Sequence, residues 1–189
     1  RSQFRVILSF SFVLTGLAYK SSHNQYTKFK ERLKSFESPV RLLEDVYVQP
    51  FGAEIIVIGL GRVGKGAYLS LNTIVGKKVW GMDADLSRIN QLKKVGYQAM
   101  VGDGEDVDLW DNMDLSQIQL ILMALPSIED ICNITEQLQH AKYTGKIASI
   151  ARYEDEIQPL IEAGSDKVFN FFTEAGMGFA EESLQLLPQ

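Results

Sequence analysis

The chain has 189 residues, 46% hydrophobic and 23% charged, which is the composition of a globular protein with one sizeable core and excludes a disordered or fibrous chain. A formal net charge of -5 argues against the basic surface of a nucleic-acid binder. One cysteine, Cys132, excludes an internal disulfide and a cysteine-based zinc cluster, and two histidines leave no histidine-rich metal site, so no metal is expected and a reducing, cytoplasmic setting fits.

Charge divides the chain before any motif does. Residues 1–41 carry eight basic and two acidic residues, and the remainder carries 11 basic and 22 acidic ones. The run FRVILSFSFVLTGLAY at 4–19 spans about 24 Å as a helix, short of the roughly 30 Å hydrocarbon core. Because the sequence opens at Arg1 without methionine, residues 1–19 read as the end of a transmembrane helix whose upstream part is missing; a buried segment of a globular fold and a signal peptide stay open beside it. The cluster Lys20, Lys28, Lys30, Arg32 and Lys34 then puts the remainder of the chain on the cytoplasmic side. Within 20–50, Tyr26, Phe29, Leu33, Phe36 and Val40 recur at helical spacing, which predicts a basic amphipathic linker helix ending near Pro39.

From residue 51 to the end, apolar strands alternate with amphipathic helices. Strands are predicted at 53–59, 78–83, 98–102, 118–124, 146–152 and 167–170, with helices near 63–74, 86–95, 107–112, 128–140, 154–162 and 174–187. This predicts an α/β, Rossmann-like, doubly wound domain on a mostly parallel six-stranded sheet, preceded by the helical arm. The first strand runs directly into Gly59, Leu60, Gly61, Arg62, Val63 and Gly64, a GxGxxG loop between strand and helix. Gly59 permits the tight turn, Gly61 a close approach of backbone to a pyrophosphate, and Gly64 helix-to-sheet packing; a packing turn without a ligand is the alternative. The second strand ends in Asp83, followed by Ala84 and Asp85. Asp83 is placed to accept both ribose hydroxyls and repel a 2′-phosphate, favouring NAD or an adenine mononucleotide over NADP, while Asp85 suits the helix cap. Asp103 and Gly104 follow the third strand beside the adenine position, with a turn or cap as the other role for Asp103, and Ala124, Leu125 and Pro126 floor the same crevice after the fourth.

No catalytic residue emerges. The six strands leave no room for a separate substrate domain, Lys65 and His140 are badly placed for proton transfer, and Cys132 lies among apolar helix positions that favour packing. A sensing module rather than an enzyme is expected; a small NAD-dependent oxidoreductase, or a fragment of one, is the competing reading. The closing segment carries Phe169, Phe171, Phe172, Met177, Phe179 and Leu184, apolar surface for a dimer partner or for the domain's own sheet.

The succession VIGLGRVG, GMDAD, VGDGED, LMALP and ASIARYEDEIQPLIEAGSDKVFN resembles, in order and spacing, the RCK, KTN or TrkA-N family of nucleotide-binding regulatory domains, and most of all the cytoplasmic domain of Kef-type, glutathione-regulated potassium-efflux systems. The resemblance covers 51–189. It implies NAD(H), AMP or ATP in the glycine-loop crevice, a homodimer, and coupling to a membrane potassium efflux or transport subunit or domain at the cytoplasmic face of the inner (plasma) membrane. It further implies that Arg62 and Arg152 contribute to binding glutathione or its adducts; their own chemistry suits carboxylates and phosphates, with surface salt bridges as the alternative. Where many relatives carry an asparagine beyond the fourth strand, this chain has Ile131, with Asn133 displaced.

Overall fold

Short apolar runs that alternate sides along a strand need a helix on each face of their sheet, and that requirement shapes the domain. The computed structural model describes residues 47–187, so the hydrophobic run at 1–19 and nearly all of the linker lie outside the described residues. The strands are β1 (Ile55–Ile58), β2 (Val79–Asp83), β3 (Ala99–Val101), β4 (Leu120–Met123), β5 (Lys146–Ala151) and β6 (Lys167–Asn170). The helices are α1 (Arg62–Val75), α2 (Leu86–Lys94), α3 (Val107–Asn112), α4 (Ile128–His140), α5 (Ile157–Ala163) and α6 (Phe171–Leu184). The sheet order is β3-β2-β1-β4-β5-β6 and every pairing is parallel, so the expected mostly parallel sheet is parallel throughout.

Two cores lie on the two faces. Val57, Val79 and Ala99 meet Tyr68 of α1 and Ile89 and Leu92 of α2 on one face. The larger core joins Ile56, Met82 and Ile121 to Leu109 and Trp110 of α3, Ile131 and Leu138 of α4 and Leu160 of α5. Each fully buried aliphatic side chain of this kind contributes about 1.5–3 kcal/mol. Strand order reverses between β1 and β4, which opens a crevice at the carboxyl ends of the strands.

Capping sets most of the boundaries. Asp85 accepts the Arg88 N–H and starts α2, as expected, and Ser127 caps α4. The last helix begins at Phe171 rather than at 174, because the Asn170 side chain accepts the Thr173 N–H, and it ends at Leu184 rather than 187. The helix expected over 154–162 is a 3₁₀ turn at Glu154–Glu156 followed by α5, since the Glu156 carboxylate folds back to accept the N–H groups of Arg152 and Tyr153. Residues 47–50, expected in the linker, form no helix and belong to the α/β unit: the Tyr47 hydroxyl donates to Asp106 at 2.8 Å, and Gln49 bonds the backbone of Asn112 and Asp114.

Candidate nucleotide-binding site

The crevice is a cleft of about 660 Å³, within the roughly 300–1,000 Å³ typical of small-molecule sites. Its base is the glycine loop. Gly59 turns the chain with φ +85, and a Cβ there would lie 2.8 Å from the Ala124 carbonyl oxygen. At Gly64 a Cβ would come within 1.8 Å of the Gly59 carbonyl oxygen, so only glycine lets α1 pack this close. Gly61 differs: its backbone is extended (φ -68, ψ -160) and a Cβ would meet nothing within 4 Å. The open space beside it is the cleft. Unlike α2, α3, α4 and α6, α1 has no side-chain cap, and its first turn holds no acidic residue, so its leading N–H groups and positive dipole end are left for an anion.

Leu60 and Gly64 do not line the cleft. Leu60 is fully buried, its side chain lying over β2, where Gly81 leaves room for it: a Cβ on Gly81 would stand 2.6 Å from Leu60 Cδ1. The Leu60 N–H donates to Asp83 Oδ2 at 2.7 Å. Arg62 and Val63, together with Gly59 and Gly61, form the wall.

Asp83, at the tip of β2, is 7% exposed and fully engaged in hydrogen bonds on one oxygen. Besides the Leu60 N–H, Oδ2 accepts from Arg88 Nη1 at 2.7 Å, and Oδ1 accepts the Asp85 N–H at 2.9 Å. Burial works to raise its pKa, but the Asp85 N–H, the Arg88 guanidinium and the Leu60 N–H outweigh it and hold the carboxyl below the usual carboxylate range. Arg88 lines the cleft beside Ala84 and does not emerge from the sequence; its signal is an arginine in the first turn of a helix that comes after two aspartates. Across from it, Asp103 and Gly104 form the other wall of this end. Asp103 Oδ1 accepts the Glu105 N–H, and Trp110 Nε1 donates to the Gly104 carbonyl at 2.6 Å, which pins the turn.

Ala124, Leu125 and Pro126 follow β4 into the cleft. Arg152, at the end of β5, donates to the Pro126 carbonyl oxygen, and neither Arg62 nor Arg152 forms an ion pair among the described residues. Phe171 and Phe172 also line the cleft, whereas the sequence pattern places them ahead of the helix, in apolar surface for a dimer partner or for the domain's own sheet. Ile131 is buried in the core, and Asn133 donates to Glu105 at 2.7 Å on the rim. Cys132 is half-buried, and burial pushes its thiol pKa up, away from thiolate chemistry.

A parallel sheet of this order, with a glycine loop at its first turn and a carboxylate at the end of its second strand, is a combination that known families share. The profile of the TrkA-N domain family matches residues 55–171. The chain belongs to the TrkA-N domain family. Solved structures share this TrkA-N fold. One is the NAD(P)-binding domain of an exopolyphosphatase-related protein from Archaeoglobus fulgidus, with TM-score 0.64 and 23% identity, covering 71% of this chain and 99% of that one. A second is the TrkA-N domain of the inner membrane protein ybaL from Escherichia coli, with TM-score 0.58 and 19% identity over 73% of this chain and 98% of that one. A third is the Kef CTD of Shewanella denitrificans in its AMP-bound form, with TM-score 0.58 and 20% identity over 71% of this chain and 81% of that one.

Proposed function

We propose that this TrkA-N domain senses an adenine nucleotide, NAD(H) or AMP/ATP, and couples its binding to a membrane potassium efflux or transport system. The observation that carries this reading is Gly61. Gly59 and Gly64 are required by the protein's own packing, whereas among the described residues nothing requires glycine at 61, and a ligand backbone contact supplies the reason. The phosphates rest on the uncapped start of α1, the ribose faces Asp83, and the adenine lies between Ala84 and the Asp103–Gly104 turn, over Ala124, Leu125 and Pro126.

A role in sensing rather than turnover is supported by the lining. The described cleft residues include no His, Cys, Lys, Tyr, Ser or Thr, and the ionisable groups are carboxylates and arginines. The unpaired guanidinium of Arg62 and that of Arg152, near Phe171 and Phe172, suit a carboxylate-bearing regulator such as glutathione or an adduct with an apolar substituent. Dimer formation is supported by α6, which has no buried residue and exposes Met177, Phe179 and Leu184. Among the described residues no helix is long and apolar enough to cross a membrane. The proposal assigns the transport pathway to another segment or subunit and this domain to its cytoplasmic face.

Thermal unfolding with AMP, ATP, NAD+ and NADH tests the reading on the wild type and on Gly61→Asp. Stabilisation of the wild type, abolished by Gly61→Asp without a change in the ligand-free midpoint, is the expected result. A midpoint that none of these nucleotides moves overturns it.

A further inference from the structure

An aspartate at the tip of the second strand excludes a 2′-phosphate most fully when its charge is unpaired and both its oxygens are open to the ribose hydroxyls. Asp83 does not meet that condition. A carboxylate oxygen has two lone-pair positions, and both on Oδ2 are taken, by the Leu60 N–H and by Arg88 Nη1. Oδ1 accepts the Asp85 N–H and keeps one position. Two of the three donors are backbone groups fixed by the fold, one in the glycine loop and one at the capped start of α2. A ribose diol therefore finds room for one hydroxyl on this carboxylate.

What stands beside that single acceptor is a cation. The Arg88 side chain is 43% exposed, lines the same end of the cleft and carries five N–H donors in a planar fork. Its Nη1 is bonded to Asp83, and its Nη2 lies 3.7 Å from Asp85 Oδ2, too far for a hydrogen bond. Asp83 offsets the Arg88 charge and Asp85 adds an ion pair at 3.7 Å, so what Arg88 offers a ligand is its remaining N–H donors, which an anionic oxygen accepts.

We propose that Arg88 is a specificity-determining residue that makes the ribose end of the cleft accept 2′-phosphorylated adenosine nucleotides, the NADP(H) class, alongside unphosphorylated ones. The 3′-hydroxyl donates to Asp83 Oδ1, and the 2′-phosphate takes the free donors of Arg88. This rests on the reading of the cleft as a nucleotide site and replaces the expectation that Asp83 repels the 2′-phosphate.

Calorimetric titration of the full chain with AMP and with 2′,5′-ADP, repeated on Arg88→Ala and Arg88→Lys, tests it. The wild type is expected to bind 2′,5′-ADP within about tenfold of AMP. Arg88→Ala should weaken 2′,5′-ADP by about tenfold or more without weakening AMP, because it frees an Asp83 Oδ2 lone pair for the 2′-hydroxyl, with Arg88→Lys in between. AMP binding with 2′,5′-ADP weaker by about a hundredfold in the wild type overturns the proposal and leaves the nucleotide site standing. Equal losses for both ligands in Arg88→Ala also overturn it, because they mean that Arg88 only supports the site's shape. If neither ligand binds the wild type, this proposal and the nucleotide reading both fail.

Discussion

Three residues apart in one loop, Gly61 and Gly64 answer to different constraints. A methyl group at 64 would drive into the Gly59 carbonyl oxygen, with rigid backbone on both sides and no side chain to yield. Gly64→Ala should therefore lower stability by about 3 kcal/mol or more, read as a drop in the urea midpoint. Gly61→Ala should leave that midpoint within about 0.5 kcal/mol of the wild type, because the added methyl meets only open cleft, while weakening nucleotide binding. Asp83 adds a pH dependence. Its folded pKa lies below the unfolded value, so its contribution to stability is complete above the unfolded pKa of about 3.9 and fades as pH falls through the folded one. Asp83→Asn should flatten the acid limb of the stability–pH curve. It should also cost about 1–3 kcal/mol near neutrality, since an amide offers a single acceptor oxygen to the Leu60 and Asp85 N–H groups. An unchanged acid limb would contradict the assignment.

Among the elements, α6 is the exception to the rule that a helix buries one face. Its ties to the rest of the domain lie at its start: the Asn170 cap, the Asn170 side chain on Glu154 at 3.0 Å, and the tilted contact of Phe172 with Tyr153. Beyond them Phe179 is 77% exposed. Phe179→Asp should therefore leave the thermal midpoint of the isolated fold nearly unchanged and convert a dimer into a monomer, measured by light scattering. A wild type that is monomeric at every concentration would remove the dimer from the proposed function. Asn170→Ala removes the cap and the Glu154 bond together and should cost about 1 kcal/mol. Glu156 shows why the neighbouring helix starts later than its pattern suggests. The pattern is helical from Glu154, but the Glu156 carboxylate folds back onto the preceding N–H groups and holds the first turn as 3₁₀.

Across the whole molecule, the cleft straddles the β1–β4 boundary, where the strand order reverses. A ligand there touches loops after β1, β2, β3, β4 and β5, so its binding energy holds together parts of the domain that separate on unfolding. At about 100 times the dissociation constant it should add about 2.7 kcal/mol, a rise of several degrees in the thermal midpoint.

Much of this arrangement was legible in the residues. Apolar runs of strand length between amphipathic helices dictate a parallel sheet, because only covered faces on both sides satisfy them. GLGRVG between a strand and a helix locates the cleft, and the spacing of Asp83 and Asp85 divides the cleft-lining position from the helix cap. These are local properties, decided by backbone sterics and hydrogen bonding within a few residues. The rest depended on what folding brings together. Leu60 faces the core and leaves only its N–H for the site; Phe171 and Phe172 reach the cleft because Asn170 starts their helix early. Which oxygens of Asp83 stay open is set by donors from two loops joined at the sheet edge, and its partner Arg88 is placed by the direction of a helix. Sequence determined that there is a crevice at the first strand–helix turn and where its glycines stand; only the tertiary structure decided which donors and acceptors it presents, because lone pairs are shared among groups far apart in the chain.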